Sequence, residues 1–155
     1  MSQQKMTVWP VDQSLFLNEV HDVSLDKLHP DAELNALIDD LPGRKLVFTN
    51  GDERHAIRLL DHMGMADLFH GVFHLENANW IPKPALATLE KMMAVHAVHP
   101  ETAAFFEDSP KNLKPAHELG MKTILVGPKA LDNTDSHVDF RGPSLKAFLN
   151  GIEHK

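Results

Sequence analysis

Four apolar residues, Ala103-Ala104-Phe105-Phe106, end abruptly on two neighbouring carboxylates, Glu107 and Asp108, and then on Ser109-Pro110, a pair that starts helices. A short run without polar alternation is how a strand buried on both faces reads, and the parallel strands of α/β folds are of that kind. Open α/β sheets place their ligands beyond the carboxyl ends of their strands. Paired acids at such a position suit a hard divalent cation such as Mg²⁺, which takes oxygen ligands and bridges to phosphate. The same residues also fit a helix N-terminus with favourable negative charge, and the pattern alone leaves both readings open. Two other segments have related construction. Leu46-Val47-Phe48-Thr49-Asn50-Gly51-Asp52 ends in a hydroxyl and a glycine-containing turn, and Ile81-Pro82-Lys83-Pro84 holds one lysine between two prolines.

Around these segments helix and strand periods alternate. Leu34, Leu37, Ile38 and Leu41 predict a helix over 31–41, which Pro42-Gly43 stops. Residues 45–49 read as a strand, 52–63 as a helix ended by Gly64, and 72–75 as a short strand. A helix over 84–95 carries Pro84 in its first turn. Residues 103–106 form a strand and 110–119 a helix closed by Gly120, followed by a strand at 123–126. A weaker strand at 138–140 precedes a last helix with Leu145, Phe148, Leu149 and Ile152 aligned. Residues 128–137 read as a loosely ordered polar surface loop. Strands alternating with helices imply a parallel sheet covered on both faces through right-handed crossovers.

The chain has 155 residues, enough for one domain with a single sizeable core. It reads as one unit over 1–155, with an atypical N-terminal segment at 1–30 and a core at 31–152. No apolar run approaches the length of a membrane helix, and the N-terminus lacks the apolar stretch of a secretory signal. Zero cysteines exclude disulfide and thiolate chemistry and agree with a cytoplasmic setting. A formal charge of −7 argues against nucleic acid as a partner, though not against a small phosphorylated metabolite. The eleven histidines are scattered, and the tightest groupings, His70/His74 and His96/His99, read as surface and helix-end residues rather than a metal site.

Taken in order, Thr49, Lys83 and Glu107-Asp108 resemble three of the four signature motifs of the haloacid dehalogenase-like hydrolases. Phe48-Thr49-Asn50-Gly51, Met63-Gly64-Met65-Ala66-Asp67-Leu68-Phe69, Pro82-Lys83-Pro84, Phe106-Glu107-Asp108-Ser109 and Leu119-Gly120-Met121-Lys122-Thr123 are similar to the pyrimidine 5′-nucleotidase-like branch. The resemblance implies a three-layer, Rossmann-like α/β/α domain and Mg²⁺-dependent hydrolysis of a phosphate monoester, a nucleotide or similar metabolite. It implies that Thr49 binds phosphate, helped by the amides of Asn50 and Gly51. Lys83 would stabilise the nucleophile and the transferring phosphoryl group. Asp108 would ligate Mg²⁺, and Glu107 would support the metal directly or through water.

The first motif departs from the family pattern of an apolar strand followed by Asp-x-Asp-x-Thr. The nearest string is Thr7-Val8-Trp9-Pro10-Val11-Asp12-Gln13-Ser14-Leu15-Phe16. In that register Asp12 takes the place of the second, proton-shuttling aspartate, and Pro10 that of the nucleophile, which it cannot serve. Residues 5–9 would form the central strand of the sheet. Between Asp12 and Thr49 there is also too little chain for the helical cap of that branch, so the cap is expected to be largely absent. The expected function is therefore a phosphatase domain with an impaired covalent step. Its rivals are a non-catalytic protein that binds phosphate and Mg²⁺ or pairs with another chain, and a truncated inactive homologue. Homo-oligomerisation stays open.

Overall fold

A computed structural model describes residues 29–41, 43–48, 53–73 and 86–151, together with the backbone of 6–9. The described strands are β1 (Met6–Trp9), β2 (Lys45–Phe48), β3 (Gly71–Phe73), β4 (Ala103–Glu107), β5 (Lys122–Val126) and β6 (Phe140–Gly142). The described helices are α1 (Ala32–Asp39), α2 (Glu53–His62), α3 (Leu86–Val95), α4 (Pro110–Glu118) and α5 (Leu145–Asn150). The six strands form one sheet in the order β3-β2-β1-β4-β5-β6, and every pairing is parallel. β1 occupies the central slot expected for it, with Thr7 opposite Lys45 on one side and Ala104 on the other.

Successive side chains on a strand point to opposite faces, and the buried clusters divide accordingly. Leu46, Phe48, Phe105 and Leu125 pack with Leu89, Met92, Leu113 and Ala116 from α3 and α4. Val47, Phe106 and Ile124 pack with Ile38, Leu59, Leu60 and Leu149 from α1, α2 and α5. This is the α/β/α sandwich the alternation predicts. The rings of Phe48 and Phe105 stack with centroids 5.8 Å apart, although β1 runs between their strands. Phe73 meets Phe48 edge-on at 5.4 Å.

Three helix ends close in the same way. After α2, Gly64 takes φ +70° and the Met65 amide reaches back to the Leu60 carbonyl at 2.7 Å. After α4, Gly120 takes φ +101° and the Met121 amide bonds Ala116 at 3.0 Å. After α3 the left-handed position falls to Ala97, at φ +52°, and the Val98 amide bonds Met93 at 2.8 Å. In each case the residue past the turn, Met65, Met121 or Val98, is buried, which anchors the helix end in the core.

Two expectations need correction. The last strand begins at Phe140 rather than Val138, because Val138 is drawn into the core and the Asp139 side chain occupies the Thr123 amide, so the ladder starts with Ile124 opposite Phe140. Residues 128–137 are not a loose loop. Ala130–Asp132 forms a 3₁₀ turn with Ala130 in the core, Asn133 and Asp135 bond each other, and the Asp135 carbonyl accepts from Arg141. The histidines also do more than decorate the surface: His70 Nδ1 accepts the Lys45 amide at 3.0 Å, and His96 is half-buried against Phe73.

Candidate functional site

Glu107 and Asp108 stand at the carboxyl end of β4, next to the central strand and before the first turn of α4. β4 extends one residue further than the apolar run, so Glu107 pairs with Leu125 in the ladder and is 2% exposed. A carboxylate at that depth is costly unless it is hydrogen-bonded or has a cation to face. Its Oε1 accepts the Asp108 amide at 3.2 Å. Asp108 is half-buried, at the point where the chain leaves the sheet.

The sheet brings the strands preceding two further candidates alongside. Trp9, which Pro10 follows in sequence, lies level with Val47, and β2 ends one residue later at Phe48, immediately before Thr49. Pro10, Asp12, Thr49, Asn50, Gly51 and Lys83 themselves lie outside the described residues. The structure thus places the acid pair and sets β2, β1 and β4 side by side.

Asn112 is a residue the sequence reading passed over. It sits in the first turn of α4, is 8% exposed, and among the described residues its Oδ1 has no hydrogen-bond donor. The signal was present: Asn112 shares the inward face of α4 with Leu113 and Ala116, where an amide is out of place without a partner. Glu107, Asp108 and Asn112 offer only hard oxygen atoms, the donor chemistry Mg²⁺ prefers. Among the described residues no group of three or more His, Cys, Asp or Glu is clustered to hold a metal alone. A cation here would complete its shell with water and ligand oxygens, as Mg²⁺ commonly does. The shallow cavity of about 160 Å³ beside β3, lined by Ile57, Leu60, Phe69 and Val72, is unrelated to the acids.

Residues 2–126 match the family model for haloacid dehalogenase-like hydrolases, and the chain belongs to that family. It is 30% identical over 135 residues to phosphate metabolism protein 8 of Saccharomyces cerevisiae, covering 74% of this chain but only 41% of the yeast protein. In fold it is similar to a HAD phosphatase from Thermococcus onnurineus, with a TM-score of 0.67 at 15% identity over 94% of this chain and 96% of the other. A structure of Bacillus subtilis YfnB bound to magnesium matches with a TM-score of 0.64 at 17% identity, over 74% of this chain and 52% of that one. The chain therefore spans less than half the length of its yeast relative. No helix among the described residues is long and apolar enough to cross a membrane.

Proposed function

We propose that this chain carries the phosphate and Mg²⁺ site of a phosphomonoesterase of the pyrimidine 5′-nucleotidase-like branch, with its covalent step impaired. The observation that carries the reading is the acid pair at the end of β4, directly beside the central strand, where α/β folds bind ligands. The likeness to a yeast protein named for phosphate metabolism points the same way. Asp108 and Glu107 would hold Mg²⁺, with the Asn112 oxygen nearby in the first turn of α4 that follows them. The cation would supply charge neutralisation for the phosphate. Thr49, with the amides of Asn50 and Gly51, would bind phosphate oxygens, and Lys83 would sit against the transferring group. Asp12 would hold or donate the proton. The substrate would be a nucleotide 5′-phosphate or similar small metabolite, in the cytoplasm, with neither nucleic acid nor membrane as partner and with self-association open.

Pro10 favours a second reading, a domain that binds phosphate and Mg²⁺ without turnover. It follows β1 directly and has no side chain able to attack phosphorus. The deciding experiment measures Mn²⁺ binding and phosphate release from p-nitrophenyl phosphate by the wild type, Asp108→Asn and Pro10→Asp. Wild type should bind Mn²⁺, lose it on Asp108→Asn, and release almost no phosphate, because loss of a covalent nucleophile typically removes orders of magnitude in rate. Turnover gained by Pro10→Asp would support the impaired enzyme. Robust wild-type turnover abolished by Asp12→Asn would make Asp12 the nucleophile and overturn the register.

A further inference from the structure

Two residues of the connection into β6, His137 and Asp139, grip the two ends of α4. At the N-terminal end His137 Nε2 lies 2.8 Å from the Pro110 carbonyl; a carbonyl only accepts, so the ring donates there. At the other end His117 Nε2 lies 3.5 Å from Asp139 Oδ1. Both contacts are pinned to β5 through Thr123, which is fully buried. The Thr123 hydroxyl donates to the His137 carbonyl at 2.6 Å and accepts the Asp139 amide at 3.0 Å, while the Thr123 amide donates to Asp139 Oδ2 at 3.0 Å.

The first turn of α4 needs such support. Pro115 lies inside the helix and has no N–H, so the Lys111 carbonyl, four residues before it, receives no helical bond from that position. The Asn112 amide bonds the Ser109 carbonyl, a tight three-residue closure. Ser109 at the N-cap position makes no side-chain capping bond. The turn that follows Asp108 is therefore short of its own hydrogen bonds, and the external one from His137 falls on its first helical residue.

We propose that His137 is a positioning residue of the acid site: by holding the Pro110 carbonyl it fixes the first turn of α4, and with it the direction of the Asp108 carboxylate and the Asn112 oxygen. This rests on the cation reading given above. It assigns a role to a residue far along the chain from every motif, and separates the two ends of the clamp, since only the His137 end adjoins the acids. Outer residues that orient metal ligands are commonly worth ten- to a hundredfold in affinity, and one acting through a backbone carbonyl belongs at the lower end.

The test is Mn²⁺ affinity by titration calorimetry on the intact chain, with folding checked by circular dichroism. His137→Leu should weaken binding roughly tenfold. His137→Gln, whose amide can donate to the same carbonyl, should restore most of it. Asp139→Asn, which loosens the far end, should lower the melting temperature with little change in affinity. If His137→Leu does not fold, His137→Asn, too short to reach Pro110, takes its place. Wild type that binds Mn²⁺ with an affinity untouched by His137→Leu overturns this role alone, as does an equal loss in Asp139→Asn or no rescue by Gln. Wild type that binds no Mn²⁺ overturns the cation reading and this role with it.

Discussion

The imidazole of His96 stands edge-on to the ring of Phe73, with centroids 6.1 Å apart and planes at 77°. It closes the floor of the sheet where β3 begins, against Gly71. Burial, and then the nearby Arg44 guanidinium, hold its pKa below the ordinary histidine range. The folded state therefore prefers the neutral ring, while the unfolded chain takes up a proton as pH falls past about 6.5. The stability that neutrality confers is present above that pH and is lost as pH falls toward the lowered folded-state value. His96→Phe should flatten the fall in the urea midpoint between pH 7.5 and 5.5 relative to wild type; parallel profiles would refute this.

Gly142 in β6 presses on α5. A Cβ there would come within 2.7 Å of Phe148 Cβ and 3.4 Å of its Cα, atoms too close to the helix backbone to swing aside. At Gly71 the nearest obstacle, at 2.9 Å, is the ring edge of His96, which can rotate. Gly142→Ala should cost about 2 kcal/mol or more, and Gly71→Ala less, with the Gly71→Ala loss largely removed in a His96→Ala background. Equal denaturation midpoints for the two glycine variants would contradict the packing argument.

Ala97 carries the left-handed turn that glycine carries after α2 and α4. Its carbonyl also accepts from Arg44 at 2.9 Å. Relief of the Cβ strain should outweigh the added freedom of the unfolded chain, so Ala97→Gly should raise stability by up to about 1 kcal/mol, and Ala97→Val should lower it. Thermal melts of the three proteins check the order.

Glu107, 2% exposed at the end of β4, would face the cation on the reading given above. Glu107→Gln keeps its shape and removes the charge. It should weaken Mn²⁺ binding roughly tenfold. A variant that binds Mn²⁺ as wild type does would remove Glu107 from the site.

Periodicity made most of the fold legible, because the strands are short apolar runs and two of the helices, α2 and α4, stop at glycines. Residues 45–48 and 103–106 could be read as doubly buried strands, and the central place expected for residues 5–9 came from the family resemblance. The shift of β6 could not be read: Val138-Asp139-Phe140 looks like a strand locally, and only the capture of the Thr123 amide by Asp139 moves the ladder onward. The connection at 128–137 looked loose because its ties are polar, some local, such as Asn133 with Asp135, and one distant in sequence, His137 with Pro110. At the site, the acids were visible as an abrupt change of character after Phe106. Asn112 left a fainter signal, an amide within an apolar helical stripe, and His137 left none, since it acts through a backbone carbonyl.

The strand that completes the sheet is also the earliest to be made. Met6–Trp9 must find Lys45–Phe48 on one side and Ala103–Glu107 on the other, so its second partner leaves the ribosome only after most of the described core has emerged. Until then one hydrogen-bonding edge of β1 has no mate, and the chain is exposed to mispairing for longer than a fold with local contacts would be. A fragment lacking the first nine residues leaves a slot the width of one strand, which makes a synthetic peptide of those residues a rational choice for complementation in trans.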